Sequence, residues 1–167
     1  CKPDPKAHLS AKIYEGAPGT YYAIVNNKSK VCKYDVGMAS YEKYDNNLNN
    51  QVLFSSDEAL EIGYGETKLE VKVPDCSTQI DVFFDASHLG VYPDYAGKQA
   101  ELDLVPLVLP EFGSNNYGPY GNRYGPRLLS AKHIHGNLWC DLEGCSIGDM
   151  TILGVVDGER VEPGTEL

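Results

Sequence analysis

The stretch AKHIHGNLWCDLEGC at residues 131–145 holds the densest group of side chains capable of chemistry in this chain. Two histidines in a His-x-His pattern, His133 and His135, can bind zinc or copper on a strand when a third ligand converges on the ion. The candidates for that ligand are His88, Asp141 and Glu143. Because no spacing rule selects one of them, we predict no bound metal and no other cofactor.

Strand alternation gives the same residues a second interpretation. His133, His135 and Trp139 share one parity, which predicts that they lie on the outer face of a sheet. The opposite parity, predicted to face the core, consists of Ile134, Gly136, Leu138 and Cys140. The stretch is therefore predicted to be a strand that runs into a turn closed by a disulfide.

The cysteines indicate the compartment; they are Cys1, Cys32, Cys76, Cys140 and Cys145. Cys140 and Cys145 bracket the turn Asp-Leu-Glu-Gly, which predicts a disulfide between them. A second bridge is predicted between Cys32 and Cys76, at the edges of two strand-like runs. Two bridges indicate an oxidising compartment and hence an extracellular or cell-surface location. The alternative is a cytosolic protein with reduced, buried thiols.

Cys1 is left over in this pairing. The sequence CKPDPKAH, a cysteine followed by a polar tether, resembles the start of a mature bacterial lipoprotein, which makes Cys1 a candidate for lipid modification. Alternatively, Cys1 is only the end of a fragment, or it pairs with a cysteine outside that fragment.

The composition predicts one globular domain, with 167 residues of which 42% are hydrophobic. The net charge of −10 argues against nucleic-acid binding, which requires clustered Lys and Arg, and against docking on an anionic membrane. The sequence has no apolar run of about 18 residues, so no transmembrane segment is expected.

Short runs with period-two alternation recur along the chain, whereas helical periodicity does not. This pattern predicts an all-β protein, an antiparallel Ig-like β-sandwich with long loops. Residues 1–8 are predicted to form an N-terminal arm, residues 9–156 the single sandwich domain and residues 157–167 a polar tail. Asn26-Asn27-Lys28-Ser29 is expected to be a hairpin turn between two paired strands.

Three runs, VCKYDVGMASYEKYDNNLNNQVLF, KLEVKVPDCSTQIDVFF and GNRYGPRLLSAKH, resemble a module of secreted and surface-anchored bacterial proteins. The resemblance spans roughly residues 20–136 with gaps, and it rests on cysteine placement and strand pattern. It implies an Ig-like fold and a cell-surface location, and it carries over no active-site residue.

The Gly/Asn/Tyr-rich loop GSNNYGPYGNRYGPR is the predicted interaction surface, because tyrosines with small polar neighbours are typical of adaptable contact surfaces. The predicted binding residues are Tyr117, Tyr120, Arg123, Tyr124 and Trp139. The alternative is that these tyrosines fold back over the sandwich. The Asn-rich loop YDNNLNN offers oxygen ligands for calcium but lacks the EF-hand spacing, and we interpret it as a turn.

The sequence has no nucleophile elbow and no other hydrolase signature, so we expect no catalytic activity. We predict an extracellular or cell-surface structural or adhesive module, whose partner is a cell-envelope protein or a second copy of the chain. The first alternative is a carbohydrate-binding module that uses the Tyr-rich loop. The second is a secreted metal-dependent hydrolase built on His133 and His135.

Overall fold

The computed structural model describes residues 1–85, 109–117 and 123–141, together with the backbone of residues 155–156 and 159–160. A four-residue helix, α1 (Pro5–His8), precedes the strands. The strands are β1 (Leu9–Glu15), β2 (Thr20–Asn27), β3 (Tyr34–Glu42), β4 (Val52–Ile62), β5 (Gly65–Lys72), β6 (Thr78–Asp85), β7 (Leu128–Ile134), β8 (Val155–Val156) and β9 (Glu159–Arg160). Single 3-10 turns form at Leu48–Asn50 and Gly125–Arg127.

The strands β1 to β7 form two antiparallel sheets that pack face to face. Sheet A has the order β1-β2-β5 and sheet B the order β4-β3-β6-β7, while β8 and β9 pair only with each other. Apolar side chains from both sheets form one core, which includes Val25, Val36, Met38, Leu69 and Val82. The predicted all-β antiparallel sandwich is confirmed.

Sheet A follows the alternation that the sequence suggests. In β5, Leu69 and Val71 are buried against sheet B, whereas Lys68, Glu70 and Lys72 are exposed. One face of this sheet therefore meets the core and the other meets solvent, as is usual for antiparallel sheets.

Sheet B is buried on both faces at its centre. All nine residues of β3 are buried, so its outer face is covered as well as its inner face. Residues 109–117 and 123–127, here called the outer layer, lie on that outer face. A second apolar cluster lies between sheet B and the outer layer. It consists of Ala39, Tyr41, Leu53, Phe83 and Tyr124, with Leu109 and Leu128 packed against it.

The loop of residues 28–33 crosses between the sheets, so the predicted hairpin is wrong. β2 pairs with β1 and β5 in sheet A, whereas β3 pairs with β4 and β6 in sheet B. Asn27 is buried, and its Nδ2 donates hydrogen bonds to the carbonyl oxygens of Cys32 and Ile62 at 2.9 and 3.1 Å. These bonds fold the loop against the end of β4 instead of returning the chain along β2.

The N-terminal arm is fastened to the sandwich. Cys1 forms a disulfide with Cys32, with the two Cα atoms 5.2 Å apart. The Tyr34 hydroxyl accepts a hydrogen bond from the Asp4 backbone N–H at 2.9 Å and lies 2.6 Å from Nδ1 of His8. The sulfur of Cys1 is therefore bonded to another cysteine, which corrects its assignment as a lipidation candidate.

The second disulfide joins Cys76 to Cys140, with the Cα atoms 4.9 Å apart. The predicted Cys32–Cys76 pairing is wrong, because these residues precede β3 and β6, which run antiparallel and therefore begin at opposite ends of sheet B. Cys140 pairs with Cys76, so the predicted Cys140–Cys145 bridge is also wrong. Cys145 itself lies outside the described residues.

Side chains close one corner of the sandwich, where β4 and β5 lie at the edges of different sheets. The Ser55 hydroxyl and the Asp57 carboxylate of β4 accept hydrogen bonds from the backbone N–H groups of Lys72 and Glu70 at 3.0 and 2.9 Å. Ser40 Oγ donates to the Lys72 carbonyl at 2.6 Å. These polar contacts satisfy backbone groups that an exposed sheet edge would leave open.

None of the helices in the described part of the chain has the length and apolar character that crossing a bilayer requires. The predicted limits of the sandwich domain, residues 9–156, stay a prediction, since the described residues stop at Asp141 apart from the backbone of β8 and β9.

Candidate functional site

Four polar side chains meet where the outer layer contacts sheet B. We call them the amide–carboxyl cluster: Gln51, Gln79, Asp81 and Asn116, all of them buried. Gln51 Nε2 donates to Gln79 Oε1 at 2.9 Å, and Gln79 Nε2 donates to Asp81 Oδ1 at 2.8 Å. Asn116 Nδ2 donates to Gln51 Oε1 at 2.9 Å and to Asp81 Oδ2 at 3.1 Å. The cluster thus links β6, the residue before β4 and the outer layer.

Asp81 is the titratable member of this cluster, and its side chain is fully buried. Burial raises the pKa of Asp81 to about 6, while the hydrogen bonds from Gln79 and Asn116 act in the opposite direction. A carboxyl group with a pKa in this range suits acid–base chemistry. Here, however, both of its oxygens already accept hydrogen bonds from amide groups, and neither faces solvent, so the arrangement favours a structural role.

Backbone hydrogen bonds fasten the outer layer to the edge of sheet B. The backbone N–H of Leu53 donates to the Ser114 carbonyl at 2.7 Å, and Asn115 forms a bridge with Val52. The Arg123 guanidinium donates twice to the Asn115 carbonyl, from Nε at 3.1 Å and from Nη2 at 2.8 Å. The two described parts of the outer layer are therefore connected to each other as well as to β4.

Aromatic rings fill the space beside the amide–carboxyl cluster. The Phe83 and Tyr124 rings stack with their centroids 3.7 Å apart and an interplanar angle of 7°. The hydroxyls of Tyr124 and Tyr41 are hydrogen-bonded at 2.8 Å, and burial raises the pKa of both tyrosines. A Cβ atom at Gly37 would lie 2.5 Å from the Phe83 ring, so the ring occupies space that only glycine leaves free.

The predicted binding residues fall into different environments. Tyr124 is 3% exposed, so its place on a binding surface is corrected: it folds back onto sheet B, as the alternative interpretation expected. Tyr117 is 62% exposed. Its backbone N–H donates a hydrogen bond to Asn115 Oδ1 at 3.3 Å. Arg123 is half-buried against Asn115, and Tyr120 lies outside the described residues.

The predicted alternation holds for His133, which is exposed, and for Ile134, which is buried in the core, but it does not continue to His135 and Trp139. β7 ends at Ile134, and His135 has a φ of 63°, so the alternation stops there. Leu138, predicted to face the core, is 63% exposed. The strand does run into a turn, but the disulfide of Cys140 does not close that turn: it joins the chain after β7 to Cys76, before β6.

Lys43 lies between His133 and Trp139. Its Nζ is 3.2 Å from Nδ1 of His133, and it is 5.7 Å from the centroid of the Trp139 ring. Because an ammonium group can only donate, Nδ1 of His133 is the acceptor and is occupied by Lys43. Partial desolvation and then the Lys43 charge lower the pKa of His133. Nδ1 of His133 is thus neutral and already hydrogen-bonded to Lys43. The Lys43 ammonium group would repel a metal ion at this nitrogen.

Three potential ligand atoms do converge elsewhere, from Glu42, Cys76 and Cys140, all within 4.8 Å of one another. Both sulfurs belong to a disulfide, and metal binding by cysteine requires thiolates. Glu42 is buried, and its Oε1 accepts a hydrogen bond from the Tyr44 hydroxyl at 2.8 Å. With the disulfide intact, this group cannot bind a metal ion through sulfur.

The Asn-rich loop after β3 satisfies its own polar groups. Both oxygens of Asp45 accept hydrogen bonds, from the Asn47 backbone N–H at 2.7 Å and from Asn50 Nδ2 at 2.8 Å. Asn47 Oδ1 caps the 3-10 turn by accepting from the Asn49 N–H at 2.9 Å. These contacts agree with the interpretation of this loop as a turn.

The sequence interpretation missed the amide–carboxyl cluster. Gln79 and Asp81 alternate with Ile80 and Val82, which is the usual pattern of a strand with one solvent-exposed face. The available signal was in β3, where the outer-face residues after Asp35, namely Gly37, Ala39 and Tyr41, are uncharged; strands buried on both faces show such runs. Nothing local marks Asn116 as buried.

Comparison of the chain with protein-family models, with curated proteins and with solved structures finds no match.

Proposed function

We propose that the chain is a non-catalytic structural or adhesive module of the extracellular space or the cell surface. One observation carries this proposal: the amide–carboxyl cluster uses its buried polar groups to hold the outer layer on sheet B. Polar groups arranged for catalysis have to reach a substrate, whereas these bond to one another. A fixed layer above a rigid sheet is a suitable support for contact residues.

The location is supported by chemistry and by resemblance. Two disulfides are typical of proteins that mature in oxidising compartments. The strand pattern that resembles Ig-like modules of secreted and surface-anchored bacterial proteins favours the same location. The partner we propose is a cell-envelope protein or a second copy of the chain, bound through Phe112 and Tyr117, which are the exposed aromatic residues of the outer layer.

Sedimentation velocity over a wide range of concentrations tests the self-associating form of this proposal. We expect the full chain to associate and the double variant Phe112→Ser/Tyr117→Ser to remain monomeric. The matched control is Leu60→Ser/Tyr64→Ser, which removes two other exposed apolar side chains from β4 and the turn that follows it. Equal association of both variants would contradict a role for the outer layer.

A carbohydrate-binding module is the second candidate, and the contacts around Tyr117 favour it. The backbone N–H of exposed Tyr117 donates to the Asn115 side chain, and the Arg123 guanidinium donates to the Asn115 carbonyl. Such a set offers a stacking surface and hydrogen-bond donors for a sugar. A glycan array tests this candidate: binding that Tyr117→Ser abolishes supports it. A monomeric chain without any glycan signal would contradict this candidate and the self-associating form of the first one, and the absence of a crosslinked envelope partner as well would contradict both functions.

The metal-dependent hydrolase receives the least support. Lys43 occupies Nδ1 of His133, and the group of potential ligand atoms that the described residues bring together includes neither His133 nor His135. Elemental analysis of the purified protein tests it. A stoichiometric zinc or copper ion that is lost when His133 and His135 are changed to Ala would make the hydrolase the leading candidate.

A further inference from the structure

A basic loop stands out in this acidic chain. The loop that connects β2 to β3 reads KSKVCK, with three lysines and no acid in six residues. Lys28, Lys30 and Lys33 are exposed, while Ser29 and Cys32 are buried beneath them. Net charge describes the average over the whole surface, and a local cluster of one sign creates its own potential.

The loop is held in a fixed conformation. Ser29 Oγ accepts hydrogen bonds from the backbone N–H groups of Val31 and Cys32, at 3.2 and 2.8 Å. The disulfide between Cys1 and Cys32 brings the arm to the same place, and the Lys2 carbonyl lies 3.5 Å from the Cys32 sulfur. Exposed Lys2 therefore adds a fourth ammonium group to this end of the molecule.

Apolar side chains accompany these charges. Val31, at the centre of the loop, is 75% exposed, and Tyr64, in the turn between β4 and β5, is 65% exposed. Lys30 Nζ lies 5.5 Å from the centroid of the Tyr64 ring. Among the described residues, the side chains of Lys28, Lys30 and Lys33 form no ion pair. This end of the molecule therefore combines exposed ammonium groups with two exposed apolar side chains.

No acidic residue lies within the loop of residues 28–33, although acids lie at the same end of the molecule. Among the described residues, the acids at this end lie on the arm, at the end of β4, near the start of β5 and at the end of β6, and they are Asp4, Glu61, Glu66 and Asp85. Asp35, which follows the loop, is buried, and its Oδ1 accepts a hydrogen bond from the Glu61 backbone N–H at 2.8 Å. The sequence KSKVCK itself presents only positive charge and one apolar side chain.

We propose that this end of the molecule docks on a bilayer surface that contains anionic lipid headgroups. The lysines supply the attraction to lipid phosphates, and Val31 and Tyr64 enter the interfacial region, where apolar and aromatic side chains are favoured. A soluble polyanion would use the lysines but gain nothing from Val31. This surface is distinct from the outer layer, and the inference does not depend on the proposed adhesive function.

Cosedimentation of the full, oxidised chain with lipid vesicles tests the inference. We expect binding to vesicles of phosphatidylcholine mixed with phosphatidylglycerol, weaker binding at high salt, and none to phosphatidylcholine alone. Lys30→Glu/Lys33→Glu should weaken binding by at least roughly 30-fold, because each lysine near an anionic surface contributes about 1 kcal/mol and the two glutamates add repulsion. The matched control is Lys12→Glu/Lys72→Glu, with the same change of charge at exposed positions on the outer face of sheet A.

Val31→Ser distinguishes a membrane from a soluble polyanion. Loss of vesicle binding in this variant, with unchanged binding to polyglutamate, supports the bilayer surface. Three results would each overturn the inference: no binding to the mixed vesicles, equal weakening by the control variant, or full vesicle binding by Val31→Ser. The loop variants replace exposed side chains, and circular dichroism confirms that each protein compared is folded.

Discussion

The outer faces of the two sheets carry aromatic residues in opposite settings. On sheet A, Tyr14 is exposed and stacks on Tyr22, with the ring centroids 5.3 Å apart, and Lys68 Nζ lies 4.7 Å from the centroid of Tyr22. On sheet B, Tyr41 and Phe83 are buried beneath the outer layer. Both faces are the outward sides of antiparallel strands, and within the described part of the chain only the face of sheet B is covered.

The difference shows how a loop converts the outward face of a sheet into a second core. Phe83 and Tyr124 supply the apolar contacts, and the amide–carboxyl cluster supplies the hydrogen bonds that buried polar groups require. Sheet A has no such cover in the described part of the chain. We therefore expect substitutions on the outer face of sheet B to change stability strongly, and those on the outer face of sheet A to change it little.

Truncation of one aromatic ring on each face gives the largest expected contrast. Phe83→Ala should lower the free energy of unfolding by about 4 kcal/mol, since it removes a buried ring and leaves a cavity. Tyr14→Ala, on the exposed edge strand of sheet A, should cost about 1 kcal/mol or less. Urea denaturation measures both values. Similar losses would mean that the outer layer does not bury Phe83 in solution.

The pH dependence of stability tests the buried carboxyl group. Burial holds the pKa of Asp81 at about 6, above its ordinary value of 3.8. A raised pKa in the folded state means that the protonated form contributes stability, which is fully present below pH 3.8 and is lost as the pH rises through about 6.

Asp81→Asn removes this titration and keeps the size of the side chain. Relative to the variant, the wild-type protein should lose up to roughly 3 kcal/mol of stability between pH 4 and pH 7, at about 1.4 kcal/mol for each unit by which the pKa is raised. Urea denaturation across this pH range gives the difference. A flat difference would show that Asp81 is open to solvent and that the cluster is not closed.

The contrast between the faces also separates what the sequence could predict from what it could not. In β5, charged and apolar residues alternate because one face meets solvent, and both the strand and its orientation follow from the sequence. In β6, Gln79 and Asp81 show the same pattern, yet their face is buried. Their partners in the buried cluster, Gln51 for Gln79 and Asn116 for Asp81, are distant in sequence.

The predictions of the disulfide pairing were wrong for the same reason. Proximity in sequence favoured Cys140–Cys145, but the partner of Cys140 is Cys76, 64 residues away. The antiparallel register that pairs Thr78 with Ile134 brings the chain before β6 next to the chain after β7. Period-two patterns reveal individual strands, whereas partners across sheets depend on topology and register, which a single sequence does not specify.

A glycine substitution tests how closely the outer layer fits sheet B. The Cβ of Gly37→Ala would lie 2.5 Å from Cε2 and Cζ of Phe83, so the ring must move away from its stack with Tyr124. We expect a loss of about 2 kcal/mol, the usual cost of overpacking. Gly63→Ala is the control, since its Cβ would meet no atom within 4 Å. Thermal unfolding should separate the two variants, and equal stability would contradict the close packing of Phe83.

The smallest expected effect comes from a single hydroxyl within the outer layer. Tyr124→Phe removes one partner of the buried hydrogen bond to Tyr41 and should cost about 1 to 2 kcal/mol, because the Tyr41 hydroxyl stays buried without its partner. Tyr117→Phe makes the same chemical change at an exposed position of the same layer, where a shift within about 0.5 kcal/mol is expected. Both are measured by urea denaturation at one pH. If Tyr117→Phe were the more destabilising variant, the assignment of Tyr124 as the anchor and Tyr117 as the exposed contact residue would have to be reversed.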